Sequence, residues 1–223
     1  MILSRPHVLF DLDGTLVDTR AAVRECYARV FRAHLGRSFP PEGVAPGELF
    51  AMRPAELFAA VAPGRAEELY DAYQQTYPGC VDLITVFPGV ADLIAALRAA
   101  GARPGLVTNK GLARSRIDLA VAGLSEPDFC TIVTAEDTED RKPHPAPILL
   151  ALARIGARAD QAVYVGDGPQ DILAARAAGM PCLAVSYGFY APADLAQYVP
   201  EALVDDVPTL ARALGVTLPE AVR

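Results

Sequence analysis

From Phe87 onward, short apolar runs of strand length alternate with amphipathic stretches that each close on a glycine, at Gly101, Gly123, Gly156, Gly179 and Gly215. A glycine there is what the left-handed end of a helix favours. The runs between them predict strands over residues 105–108, 131–133, 162–165 and 182–185, and the continuous apolar run at residues 7–11 adds a first one. Strand–helix alternation of this kind dictates an α/β fold, a doubly wound parallel sheet wrapped by helices on both faces. Residues 17–85 break the rhythm. Val23, Cys26, Tyr27, Val30, Phe31 and Leu35 follow the spacing of one helical face, as do Leu57, Phe58 and Val61, then Leu69, Tyr70, Tyr73 and Tyr77. This segment reads as a helical insert. It contains a Pro/Gly-rich loop at residues 39–47, and Pro88-Gly89 marks the return to the sheet.

Composition narrows the partners. The 52% apolar content is ample for a packed core, and a net charge of −7 argues against nucleic acid or an anionic membrane, both of which attract basic surfaces. Cys26, Cys80, Cys130 and Cys182 are widely spaced, so they read as reduced, mostly buried thiols. No signal-peptide stretch precedes Asp11 and no run reaches membrane-spanning length, so the expected location is cytoplasmic. Tyr70, Tyr73 and Tyr77 suit either an internal core or a partner's surface, which leaves monomer and homodimer open.

The chemistry concentrates where strands end. Asp11 and Asp13 stand at the end of the first apolar run, where period-two alternation would turn both carboxylates to one side and Gly14 permits a tight bend. One carboxylate can attack a phosphoryl group while the other protonates the leaving oxygen and then takes a proton from water. Two such carboxylates repel, and a cation beside the nucleophile keeps it charged, which implies a divalent metal.

Thr108 and Asn109 follow the second predicted strand. They read either as holders of phosphoryl oxygens or as a helix cap. Asp167 and Asp171, in Gly166-Asp167-Gly168-Pro169-Gln170-Asp171, read either as Mg²⁺ ligands or as a turn and an early-helix acid. Of 20 basic residues only Lys110 and Lys142 are lysines. A chain so biased toward arginine keeps an ammonium where a compact point charge is needed. Pro143 and Pro145 would stiffen the mounting of Lys142. His7, His34 and His144 are scattered, with His144 near enough to Lys142 to line a site rim. Arg53 opens a helix of the insert, as a surface residue or as a guanidinium for a substrate's carboxylate or phosphate.

Taken in order, DLDGTL at 11–16, Thr108-Asn109, Lys142-Pro143 and GDGPQD at 166–171 resemble the four motifs of the haloacid dehalogenase superfamily, and the resemblance spans nearly the whole chain. It implies a Rossmann-like catalytic core over residues 1–16 and 86–223 with a helical cap over 17–85. It implies Asp11 as nucleophile and Mg²⁺ ligand, and Asp13 as acid/base whose backbone carbonyl also binds the metal. Thr108 and Lys142 would act on the phosphoryl group, and Asp167 with Asp171 would hold Mg²⁺. Asn109, Lys110 and Arg53 are candidate substrate-binding residues. Gly168 departs from the Ser or Thr often found in relatives.

Relatives in this superfamily that cleave carbon–halogen or carbon–phosphorus bonds lack an Asp at the second motif position, so the resemblance, with Asp13 present, argues against both activities. The Thr108-Asn109-Lys110 run, the segment from Lys142 and Tyr187-Gly188 look most like the phosphoglycolate phosphatase branch. The expected activity is Mg²⁺-dependent hydrolysis of a small phosphate monoester, with phosphoglycolate leading. A sugar-phosphate mutase, a pyrophosphatase, a nucleotidase and a non-catalytic phosphometabolite-binding module are the alternatives.

Overall fold

His7–Phe10 (β1) is buried along its whole length and accepts a parallel neighbour on each side. In this computed structural model, which describes residues 5–40 and 52–219, the strands Arg103–Val107 (β4), Ile132–Val133 (β5), Ala162–Gly166 (β6), Cys182–Val185 (β7) and Ala202–Val204 (β8) join β1 in a six-stranded sheet. Its order is β5-β4-β1-β6-β7-β8, and every pairing is parallel. A separate two-stranded antiparallel ribbon pairs Val17–Asp18 (β2) with Thr85–Val86 (β3). The predicted strands are all present. The ribbon and β8 were not anticipated.

The described residues fall into two compact units, Met1–Asp18 with Thr85–Arg223, and Thr19–Ile84. In the first, the helices are Val90–Ala99 (α4), Leu112–Val121 (α5), Ala146–Ile155 (α6), Pro169–Ala177 (α7), Pro192–Ala196 (α8) and Val207–Ala213 (α9). The five glycines read as helix ends all take positive φ, between 65° and 82°. Leu9, Val107, Tyr164 and Ala184 share one face of the sheet. There they pack with Ile148 and Leu152 of α6 and Ile172 and Ala175 of α7 into one buried cluster.

The second unit contains Arg20–Val30 (α1), Pro54–Val61 (α2) and Ala66–Thr76 (α3), with a π-helical turn at Phe31–Leu35 and 3₁₀ segments at Pro63–Arg65 and Tyr77–Leu83. Tyr27, Phe31, Phe58, Tyr73 and Tyr77 are buried and stack on one another. Tyr73 and Tyr77 thus serve this unit's own core, and Tyr70 is half-buried. Most of the Pro/Gly-rich loop, residues 41–47, lies outside the described residues. Among the described residues the four cysteines are free thiols, three of them buried and Cys130 half-buried, and no helix is long and apolar enough to cross a membrane.

The central strand carries the core. Leu9→Ala, at a fully buried position, is expected to lower stability by about 2–5 kcal/mol, whereas Leu149→Ala, 47% exposed on α6, changes it by less than about 0.5 kcal/mol. Denaturant titration of the two variants checks the contrast.

Candidate active site

Four neighbouring strands deliver a polar residue immediately past their carboxyl ends. Thr134 follows β5, Thr108 follows β4, Asp11 follows β1 and Asp167 follows β6. The chain runs from β1 outward through β4 and β5, then returns to the other side of β1 at β6. Ligands of open parallel sheets sit in the crevice that such a reversal opens.

β1 ends at Phe10, so strand alternation does not carry Asp13. Asp13 is brought back by a tight turn. The Leu12 carbonyl accepts from the N–H groups of Thr15, Leu16 and Val17, at 3.3, 2.9 and 3.2 Å, and Gly14 N–H donates to the Val17 carbonyl at 2.8 Å. Gly14 has φ +81°, and a β-carbon there would lie 2.1 Å from Asp167 Oδ2. Gly188 presses on the same carboxylate from the loop after β7, where a β-carbon would lie 2.5 Å from Oδ2. Phe189 N–H donates to that oxygen at 2.7 Å, and Tyr187 hydroxyl donates to the Thr15 carbonyl at 3.1 Å. The Tyr187-Gly188 segment therefore braces both Asp167 and the turn.

Lys142 is the hub of the first cluster. Its side chain is 1% exposed, and Nζ lies 2.9 Å from Asp11 Oδ1 and donates to Asp171 Oδ1 at 2.8 Å, Tyr164 Oη at 2.8 Å and the Val107 carbonyl at 3.0 Å. Tyr164 hydroxyl in turn donates to the Val107 carbonyl at 2.7 Å. The backbone of Lys142 is clamped by Asn109. Lys142 N–H donates to Asn109 Oδ1 at 3.1 Å, and Asn109 Nδ2 donates to the Lys142 carbonyl at 3.0 Å. Both polar atoms of Asn109 are thus committed to the lysine, which assigns it a mounting role that sequence reasoning did not anticipate.

Lys110 forms a second cluster. Its side chain is 4% exposed and donates to Asp13 Oδ1 at 2.9 Å and to Asp118 Oδ2. This ammonium pairs with carboxylates of the protein itself. Asp118, on the buried side of α5, was missed by sequence reasoning, since an Asp inside an amphipathic helix carries no signal of its own. Thr108 Oγ1 accepts from Lys110 N–H at 3.1 Å. Neither Thr108 nor Asn109 caps a helix. α5 starts at Leu112 with Gly111 at its cap position, and Leu112 N–H donates to Glu136 Oε2 at 3.0 Å.

Asp171 is the early-helix acid of one sequence reading, and its other oxygen meets Lys142. Oδ2 accepts from Gly168 N–H at 3.0 Å at the start of α7, while Oδ1 takes the Lys142 ammonium. Gly168 holds the cap position of that helix through its backbone. Arg53 belongs to the helical unit, where it precedes α2 and its N–H donates to Glu56 Oε2 at 2.9 Å. His144 is exposed, accepts from Ala146 N–H at 3.3 Å and lies 3.5 Å from Asp140.

The electrostatics follow from burial. Removal from water raises the Asp11 pKa to about 7 against the opposing pull of Lys142, with Asp171 and Asp13 adding repulsion. Burial, then Asp171 and Asp11, push Asp167 well above the usual carboxylate range. Burial opposes the charge of both lysines. Asp11 and Asp171 outweigh it at Lys142, and Asp13 and Asp118 outweigh it at Lys110, so both pKa values are raised.

Asp11, Asp167 and Asp171 each offer an oxygen within 4.8 Å of the others. Once ionised, three buried carboxylates around one ammonium carry an excess of two negative charges, and all the donors are hard oxygens. That donor set fits a divalent cation of the Mg²⁺ type.

Residues 8–185 match the family model of haloacid dehalogenase-like hydrolases. The chain is 33% identical to a phosphoglycolate phosphatase of Rhodospirillum rubrum, covering 95% of this chain and 92% of the relative. It is 30% identical to pyrophosphatase PpaX of Bacillus cereus, covering 91% and 93%. Among solved structures it resembles CbbY from Rhodobacter sphaeroides in complex with phosphate, with a TM-score of 0.79 at 25% identity over 91% of this chain and 94% of that one. The six-stranded parallel sheet, the carboxylates at its strand ends and the family match together establish that this chain belongs to the haloacid dehalogenase-like hydrolases.

Proposed function

We propose that this protein is a Mg²⁺-dependent phosphatase that cleaves a small phosphate monoester by passing the phosphoryl group through Asp11, with phosphoglycolate as the leading substrate. The observation that carries this reading is the meeting of Asp11 with Lys142, Asp167 and Asp171 at the sheet's point of reversal. The relative named phosphoglycolate phosphatase supports the substrate.

Asp11, Asp167 and Asp171, with the backbone carbonyl of Asp13, would hold the cation, which when bound supplies positive charge to the nucleophile and the incoming phosphoryl oxygens. An Asp11 carboxylate oxygen attacks phosphorus, and the bond from phosphorus to the leaving oxygen breaks as the new bond forms. The Asp13 carboxyl gives its proton to that oxygen. The resulting Asp13 carboxylate then takes a proton from the water that attacks the phosphorus and restores Asp11. Lys142, held at its backbone by Asn109 and at its tip by Asp171 and Tyr164, faces the charge that builds on the phosphoryl group. Thr108 hydroxyl, past the end of β4, is the donor for a phosphoryl oxygen. The helical unit, residues 19–84, would act as a cap over the site, with Arg53 a candidate for the substrate's carboxylate.

Pyrophosphate is the second reading, because the relatives named PpaX match at about the same level. The two substrates differ in what leaves. Initial rates are expected to give a higher kcat/KM for phosphoglycolate than for pyrophosphate, and the reverse order would reassign the substrate.

Asp11→Asn is expected to reduce turnover by at least about 10³-fold with the fold retained. Rapid-quench detection of a phosphorylated polypeptide in the unsubstituted enzyme, absent in the variant, checks the nucleophile. Substantial residual turnover would remove Asp11 from that role.

The raised carboxylate pKa values also make a stability prediction for the metal-free protein. A group whose pKa rises from 3.8 unfolded to about 7 folded binds more protons when folded between those values, so its contribution to stability falls as pH rises through that window. The melting temperature of the metal-free protein is therefore expected to fall between about pH 4 and pH 7, and to fall less in Asp11→Asn. Mg²⁺ at about 100 times its Kd stabilises by about 2.7 kcal/mol and raises that temperature. Asp167→Asn should lose most of the Mg²⁺ effect, and an undiminished shift would exclude Asp167 as a ligand.

A further inference from the structure

Asp118 has no place in the reaction as proposed, yet it is fully buried on α5 and takes the Lys110 ammonium on Oδ2. Burying a second carboxylate on an ammonium already shared with Asp13 costs desolvation, and the fold alone offers cheaper ways to fill that space. Lys110 is fixed at its root as well. Its N–H donates to Thr108 Oγ1 at 3.1 Å, and its carbonyl accepts from Ala135 N–H at 3.0 Å.

A lysine stem carries much rotamer freedom. Bound to Asp13 alone, the ammonium would follow wherever that half-exposed carboxyl turned. Anchored to a buried carboxylate on a rigid helix, the ammonium stays and the Asp13 carboxyl must orient to it, through Oδ1 at 2.9 Å.

We infer that Asp118 is a positioning residue: through Lys110 it fixes the rotation of the Asp13 carboxyl so that the oxygen carrying the proton meets the leaving oxygen of the substrate. This rests on Asp13 being the acid of the proposed reaction. The geometric demand is strict, since a misplacement of about 1 Å can cost about 10²-fold in rate.

The test uses the basicity of the leaving group. In the proposed scheme kcat/KM reports steps up to departure of that group, so it excludes the later hydrolysis on Asp11. Phosphoglycolate releases a strongly basic alkoxide that needs a proton, and p-nitrophenyl phosphate releases a phenolate that does not. Asp118→Asn is expected to lower kcat/KM about 10²-fold for phosphoglycolate and less than about 3-fold for p-nitrophenyl phosphate. If phosphoglycolate is not turned over, glycerol phosphate takes its place as the alkyl ester.

Asp13→Asn is expected to show the same selectivity more strongly. Equal losses on both esters in Asp118→Asn, or no loss, overturn the inference. Equal losses in Asp13→Asn itself remove the acid assignment, and the inference falls with it. A selective Asp13→Asn beside a non-selective Asp118→Asn sinks the positioning role alone. If Asp118→Asn does not fold, Lys110→Met carries the same comparison with the same outcomes.

Discussion

Two ammonium groups hold four carboxylates in pairs near the carboxyl ends of β1, β4 and β6, with a fifth, Asp167, beside them, and the arrangement of everything else in the sheet unit answers to that constraint. Lys142 lies between Asp11 and Asp171, Lys110 lies between Asp13 and Asp118, and Asp167 is held by the Phe189 N–H and by close backbone packing. Taking ions out of water costs several kcal/mol each, so such a cluster is a burden to folding that the apolar sheet must carry. It persists because each charge has a fixed partner, and truncating one partner would strand another. Lysine rather than arginine suits both hubs. Lys142 Nζ meets four oxygens arranged around a point, whereas a planar guanidinium presents its donors in a fork.

The sheet supplies that geometry through its order. Because β1 has β4 on one side and β6 on the other, residues far apart in sequence, Asp11, Thr108 and Asp167, come to adjacent strand ends with no long side chain needed to bridge them. Gly14 and Gly188 let two loops close on Asp167 and on each other. A β-carbon at either would sit inside contact distance of its carboxylate. The backbone rather than side chains thus sets the rotamer of this aspartate.

Much of this was legible from residue order, and the reasons are physical. The alternation of apolar runs with glycine-closed amphipathic stretches reports the parallel sheet, because buried parallel strands must be apolar throughout and helices need a left-handed residue to end cleanly. The scarcity of lysine singled out Lys110 and Lys142, and both ammonium groups lie among buried or half-buried carboxylates, but the partners were not legible. Which carboxylate an ammonium meets depends on how α5 and the loop before α6 pack, and that is a tertiary outcome. The same holds for Asn109, whose amide looked suited to substrate and instead clamps the Lys142 backbone. Asp13 reached its place by a different route from the one strand alternation implies. A turn closed on the Leu12 carbonyl does the work, since the strand ends at Phe10.

The Lys110–Asp13 contact also bears on which phosphate compound the site suits. Relatives named phosphoglycolate phosphatase and pyrophosphatase share this fold over most of their length, and a fold held in common does not choose between them. In the proposed reaction the two differ in the leaving group. Phosphate expelled from pyrophosphate is a weak base and gains little from a proton donor, whereas the alkoxide of a glycolate ester is a strong base whose departure depends on one. In the proposed reaction the later water attack needs the Asp13 base for either substrate, but a carboxyl held at Oδ1 by an ammonium, itself anchored to a buried aspartate on α5, adds most in the first step for the alkoxide. If Asp13 is the acid of the proposed reaction, its fixed orientation supports the alkyl phosphate monoester reading over the anhydride.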